Sequence, residues 1–136
     1  VVSASLQATM SLSGNENIDI IQLGGMLRHS SASVVGQYSM EFLRGCSFSK
    51  LFLGVDGIDV DFGISTTDIR EAELNRAMMQ AAQKTIVLAD SSKFGRRGFA
   101  KISGMEDIDT IITDAKIPHA VAKRIEEMGI DLIIAG

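Results

Sequence analysis

Three side chains stand out by type and place: Asp56, Glu71 and Lys93. Carboxylates accept hydrogen bonds from hydroxyls and, where suitably perturbed, move protons; an ammonium meets an anion or steadies developing negative charge. Asp56 directly follows the apolar run 51–55, and Lys93 closes the string Asp90-Ser91-Ser92-Lys93 behind the run 85–89. Glu71 lies on a stretch of helical period. At 100° per residue it falls about 20° from Met78 and Ala82, on the stripe that faces a core rather than solvent. Such a carboxylate either caps its own helix or points into a cavity. Lys93, Arg96, Arg97 and Lys101 place four positive charges in nine residues with no acid among them. That excess fits an anion such as a phosphate ester, and equally fits a solvated loop.

Other chemistries find little support. His29 and His119 are far apart, with no Cys or carboxylate at ligand spacing, so no metal site is expected. Cys46 follows an apolar helical stretch and reads as a packing residue. Gly24-Gly25 is not a dinucleotide fingerprint, and neither a P-loop nor a G-x-S-x-G elbow occurs. No cofactor and no catalytic residue is therefore expected.

Five short apolar runs must position these groups: 18–23, 51–55, 85–89, 109–113 and 131–135. Four are nearly continuous in Leu, Ile, Val and Phe, the pattern of strands covered on both faces of a parallel sheet. Between them lie helical stretches. Leu74, Ala77, Met78, Ala81 and Ala82 follow helical spacing, with Asp68 three residues before Glu71 as a capping-box start. Ile117, Val121, Ile125 and Met128 form a stripe, opened by Pro118 and closed by Gly129. Leu6 and Met10, ahead of Ser13-Gly14, mark a helix before the first run; a weaker pattern spans 36–45. The alternation predicts an α/β fold: a mostly parallel, Rossmann-like sheet flanked by helices. Each run ends in Gly, Asp or Ser. In a parallel sheet those residues gather along the carboxyl edge, where ligands bind in open α/β folds. Turns use the same residue types, so any single junction is also explained by chain reversal alone.

Composition bounds the rest. With 136 residues, 46% hydrophobic, and one proline, the chain is neither disordered nor collagen-like. It fits one domain that needs no metal or disulfide staple. No apolar run has the length of a membrane helix and no basic-then-apolar leader opens the chain, so no membrane partner is expected. A single cysteine forms no internal disulfide, and with seven methionines it suits a reducing cytoplasm. The net charge of −4 argues against a direct grip on DNA. Val1-Val2 opens the chain without a turn or cap, as in a fragment whose sheet begins upstream.

The strings LGGMLR at 23–28, FLGVDGID at 52–59, GISTTDIREAELNRAMM at 63–79, VLADSSKFG at 87–95 and DIDTIITD at 107–114 together resemble one family closely. It is the C-terminal effector-sensing domain of DeoR-type bacterial transcriptional repressors, and the resemblance spans nearly the whole chain. It implies an effector-binding domain over 1–136. An N-terminal helix-turn-helix domain, absent from this chain, would carry operator DNA binding. It also implies a phosphorylated sugar or related metabolite as effector, and a dimeric or tetrameric assembly. Effector contacts are expected at Gly24, Gly25, Arg28, Asp56, Gly57, Arg70, Glu71 and Lys93. The family's first strand and Gly-Thr-Thr phosphate loop belong upstream, and Ser3-Ala4-Ser5 stands where Thr-Asn-Ser is usual. The family is similar in turn to ribose-5-phosphate isomerase, whose Asp-Gly-x-Asp turn is matched by Asp56, Gly57, Ile58 and Asp59. The isomerase's Arg-Glu pair is matched by Arg70-Glu71 and its Ser-Lys pair by Ser92-Lys93. The isomerase's Lys-Gly-Gly-Gly run is missing; Gly63-Ile64-Ser65-Thr66 stands nearby. With that basic member lost, the expected role is binding without turnover, and an isomerase-like enzyme is the alternative.

Overall fold

A computed structural model describes residues 1–136, which form two compact units, Val1–Cys46 and Ser47–Gly136. In the first, β1 (Val2–Ser3) and β2 (Ile21–Gln22) pair in parallel across α1 (Leu6–Leu12). Ser5 caps α1 by accepting the Ala8 N–H at 3.2 Å. The antiparallel hairpin β3 (Met26–Arg28) and β4 (Ser33–Val35) follows, then α2 (Gln37–Arg44). Of the run 18–23 only two residues form a strand, and that strand joins this small sheet.

The second unit holds the other four runs. It comprises β5 (Leu51–Gly54), β6 (Gly57–Asp59), β7 (Gly63–Thr66), α3 (Ile69–Ala81), β8 (Thr85–Leu88), β9 (Ala100–Ser103), β10 (Thr110–Thr113), α4 (His119–Glu127) and β11 (Asp131–Ile134). β5, β8, β10 and β11 make a four-stranded parallel sheet in the order β11-β10-β8-β5, an α/β architecture flanked by helices. α3 begins five residues before Leu74, because the Asp68 carboxylate accepts the N–H groups of both Arg70 and Glu71. α4 starts after Pro118 and ends at Gly129, whose φ of 83° is the left-handed stop glycine favours. Of the stripe, Ile125 is fully buried and Met128 is exposed.

Leu53, Val87 and Ile111 occupy one register row and are buried with Ala72 of α3 and Ile125 of α4. Their neighbours Phe52, Leu88 and Ile133 point to the opposite face and are 60%, 41% and 48% exposed. Helices α3 and α4 thus cover one face, while the other is mixed: Ile86 and Thr110, in the register row of Phe52, are buried beside these exposed residues. The strand order supplies the reason. Each new strand is added on the same side of the last, and crossovers of one hand then lay their helices on one face. Three strands of this unit lie outside the apolar runs: β6, β7 and β9 form an antiparallel sheet of order β6-β7-β9.

The two faces should differ under mutation. Ile111→Ala is expected to cost about 2–5 kcal/mol in urea unfolding, the range for a buried large-to-small change. Phe52→Ala should cost less than about 1 kcal/mol, because most of its ring already meets water. Equal losses at the two positions would contradict this arrangement.

Candidate functional site

The carboxyl edge of the four-stranded sheet is lined by polar residues. Asp56 follows β5, Asp90 to Lys93 follow β8, and Asp114 follows β10. The β6–β7 ribbon leaves this edge and returns to it, so Thr66 at the end of β7 comes back beside Asp56. The Asp56 N–H donates to the Ser65 carbonyl at 3.0 Å, which fixes that return. Thr66 is buried. Its hydroxyl lies 2.8 Å from Asp56 Oδ2 and 3.2 Å from Glu71 Oε2. One hydroxyl carries one proton, so it donates fully to only one of these carboxylates at a time. Glu71 therefore points to the sheet edge, the second of its two sequence readings, while Asp68 performs the capping. Asp56 and Glu71 are both half-buried.

Lys93 ends a short 3-10 turn, Ser91–Lys93, whose N-cap is Asp90. The Asp90 carboxylate accepts the Ser92 N–H at 2.8 Å and the Ser92 hydroxyl as well. Asp114 Oδ2 accepts the Ser91 N–H at 2.8 Å. Beyond Lys93 the chain is laid along β6: Phe94 bridges to Ile58, and the Gly95 N–H donates to the Ile58 carbonyl at 2.8 Å. The Gly98 N–H donates to the buried Ser65 hydroxyl at 2.7 Å. A side chain on Gly57 would meet the Arg96 carbonyl at 2.5 Å, and one on Gly98 would meet the Thr66 carbonyl at 2.6 Å. Two glycines thus let the segment 94–98 press against the ribbon that carries Asp56 and Thr66. Lys93 immediately precedes this clamped segment.

The basic cluster of the sequence divides here. Lys93 stands at the sheet edge. Arg97 is drawn to Asp59 at 3.1 Å and, with Lys101, lies over the Phe62 ring at 5.3 and 5.1 Å. Arg97 and Lys101 thus serve the ribbon, and the four charges do not form one anion cradle. Asp59 also accepts the N–H groups of Asp61 and Phe62, closing the β6–β7 turn.

Of the eight expected contacts, Asp56 and Glu71 are brought together directly. Gly57 is buried in β6, and packing against Arg96 explains why it is glycine. Arg70 is paired with Asp68 at 3.1 Å at the α3 N-terminus. Gly24, Gly25 and Arg28 lie in the other unit, Val1–Cys46. There the Gly24 carbonyl accepts the Ser39 hydroxyl, and Gly25, at φ 149°, has no room for a side chain against the Val35 carbonyl. Arg28 is half-buried on β3, opposite Ser33. Sequence reasoning missed Thr66 as the link between the carboxylates. Its signal was position: Thr66 stands one residue before the Thr67-Asp68 helix start, at the end of the string GIST.

Hydrogen bonds at this edge and along the β6–β7 ribbon hold several carboxyls down. Asp68 falls to about 2, first through the Arg70 guanidinium. Asp59 is lowered chiefly by Arg97, Asp90 by the Ser92 hydroxyl and Asp114 by the Ser91 N–H.

These features define an α/β module whose sheet carries a row of polar side chains along its carboxyl edge. The chain belongs to the family of DeoR C-terminal sensor domains, whose family model matches residues 1–115. It is 40% identical to a putative aga operon transcriptional repressor of Escherichia coli O157:H7, over 89% of this chain and 45% of that protein. It is 34% identical to the transcriptional regulator GlpR of Haloferax volcanii, over 88% of this chain and 47% of the relative. With the glycerol-3-phosphate regulon repressor of Escherichia coli K12 the identity is 27%, over 97% and 52%. The chain spans about half the length of the curated relatives it matches. No helix is long and apolar enough to cross a membrane.

Two measurements check the site's construction. Gly98→Ala should destabilise the chain by about 1–3 kcal/mol, the cost of forcing a methyl group into packed backbone. Stability at wild-type level would remove the clamp. Because the carboxyls are lowered in the folded state, their contribution is complete above about pH 4. It is lost as pH falls toward their folded values, toward 2 for Asp68. Asp68→Asn should therefore flatten the loss of stability between about pH 4 and 2. An unchanged slope would contradict the assigned pairing.

Proposed function

We propose that this chain is the effector-sensing part of a DeoR-type transcriptional repressor, and that its effector is a phosphorylated sugar or related polyol. In this reading Asp56 and Glu71 accept hydrogen bonds from the effector's hydroxyls, and Lys93 meets an adjacent hydroxyl or the anionic group. One observation carries it: the buried Thr66 hydroxyl joins two half-buried carboxylates, Asp56 and Glu71, at the carboxyl edge, and carboxylates so placed are the acceptors that a ligand's hydroxyls need. The N–H groups of Ser91, Ser92 and Lys93 already donate within the protein. The turn therefore offers a phosphate only the Lys93 ammonium, which favours the polyhydroxylated end of the effector at this edge. Relatives named for the aga operon and the glycerol-3-phosphate regulon fit an effector of this class.

The same reading gives operator binding to an N-terminal helix-turn-helix domain and places the repressor in the cytoplasm as a dimer or tetramer. Effector binding alters DNA affinity only if the effector prefers one arrangement of that assembly. It also makes the chain a sensor without turnover. Asp59, the second acid of the isomerase-like turn, is engaged by Arg97 and by the turn it closes, and the relatives carry the names of regulators.

Glycerol 3-phosphate, glucosamine 6-phosphate, fructose 6-phosphate and ribose 5-phosphate should be compared by thermal shift. At least one is expected to raise Tm, with the shift reduced by both Lys93→Ala and Glu71→Gln. No shift with any of them, or shifts indifferent to both substitutions, would refute the reading. Ribose 5-phosphate should remain unconverted; ketose formation that vanishes in Glu71→Gln would make the protein an enzyme.

A further inference from the structure

Lys93 is held in place by acids from two strands. Asp90, at the end of its own strand, caps the turn: its carboxylate accepts from Ser92 and its carbonyl accepts the Lys93 N–H at 3.1 Å. Asp114 comes from the neighbouring strand β10, and its two oxygens do different work. Oδ1 accepts the Lys116 N–H at 2.9 Å and closes a local turn, which Asn or Ser would also do. Oδ2 reaches across to the Ser91 N–H at 2.8 Å, at the first residue of the turn that ends in Lys93. Only a carboxylate offers an acceptor on both sides; an amide turns a donor toward one of the two N–H groups. The lowered titration of the Asp114 carboxyl agrees with both oxygens being used.

We infer that Asp114 is a positioning residue of the candidate site: by holding the Ser91 N–H it fixes the turn that carries Lys93, and so sets where the ammonium stands. The inference rests on the reading of Lys93 as an effector contact. Asp114 touches the effector only through that turn. The sheet register makes this possible, because β8 and β10 are direct neighbours and both end at this edge.

The test is Asp114→Asn, which keeps size and the local turn. Hydrogen exchange of the 136-residue chain reads the positioning without any ligand. The amides of Ser91, Ser92 and Lys93 should exchange about ten-fold faster, with β8 and β10 unchanged. Unaltered exchange at Ser91 overturns the inference. Titration with whichever of the four sugar and polyol phosphates raises Tm reads the consequence. Asp114→Asn should raise the half-saturating concentration about ten-fold, the size expected for one charge-assisted hydrogen bond. The Asp114→Asn/Lys93→Ala pair should do no worse than Lys93→Ala alone. Losses that add overturn the inference, since Asp114 would then act independently of Lys93. A loosened turn combined with a Lys93→Ala chain that binds normally supports the positioning and removes Lys93 from the effector site.

Discussion

The Thr66 hydroxyl sets the terms for everything around it. It is buried, it has one proton, and it faces two carboxylates from different elements, Asp56 behind β5 and Glu71 in the first turn of α3. The fold accepts this arrangement because each carboxylate is fixed by backbone that has other reasons for its course. β7 pairs antiparallel with both β6 and β9, and Asp68 caps α3 so that Glu71 faces the edge. In the proposed function, these acceptors are what meets the effector's hydroxyls.

The second constraint is the segment that follows Lys93. Its course along β6 is possible only because positions 57 and 98 lack side chains, and because Ser65 accepts a buried N–H. The segment behind Lys93 and the ribbon that carries Asp56 and Thr66 therefore form one piece of scaffold, and the proposed effector contacts share it. A ligand touching both ends acts on a connected body, which suits a sensor whose output is a shift between arrangements of the whole protein. Arg97 and Lys101, folded onto Phe62, strengthen this scaffold and are drawn away from Lys93.

Much of this was legible in the residues. Continuous apolar runs marked β5, β8, β10 and β11 within a residue at each end, and the Asp68 to Glu71 spacing marked the start of α3. The antiparallel strands escaped because they are short and Gly-rich, or polar. β6 reads as a turn signal, and Gly63–Thr66 has too little apolar content to announce a strand, although all four of its residues are buried. The run 18–23 misled in the opposite sense: four of its six residues stay outside a strand. In the site, charge type was readable and charge partnership was not. Asp59 and Arg97 lie 38 positions apart, and only the fold reveals that they neutralise each other. Thr66 was invisible because a hydroxyl carries no pattern of its own; its meaning comes from the two acids that β7 and α3 bring to it.

The central claim is that the sheet's carboxyl edge is where this protein meets a polyhydroxylated phosphate. Amide chemical-shift mapping during titration with glucosamine 6-phosphate or glycerol 3-phosphate tests it most directly. The account predicts that the largest changes fall at Asp56, Thr66, Glu71 and the turn Ser91–Lys93. Changes gathered instead at the opposite, amino edge, in the cavity of about 590 Å³ lined by Lys84, Glu106, Ile130 and Asp131, would contradict it.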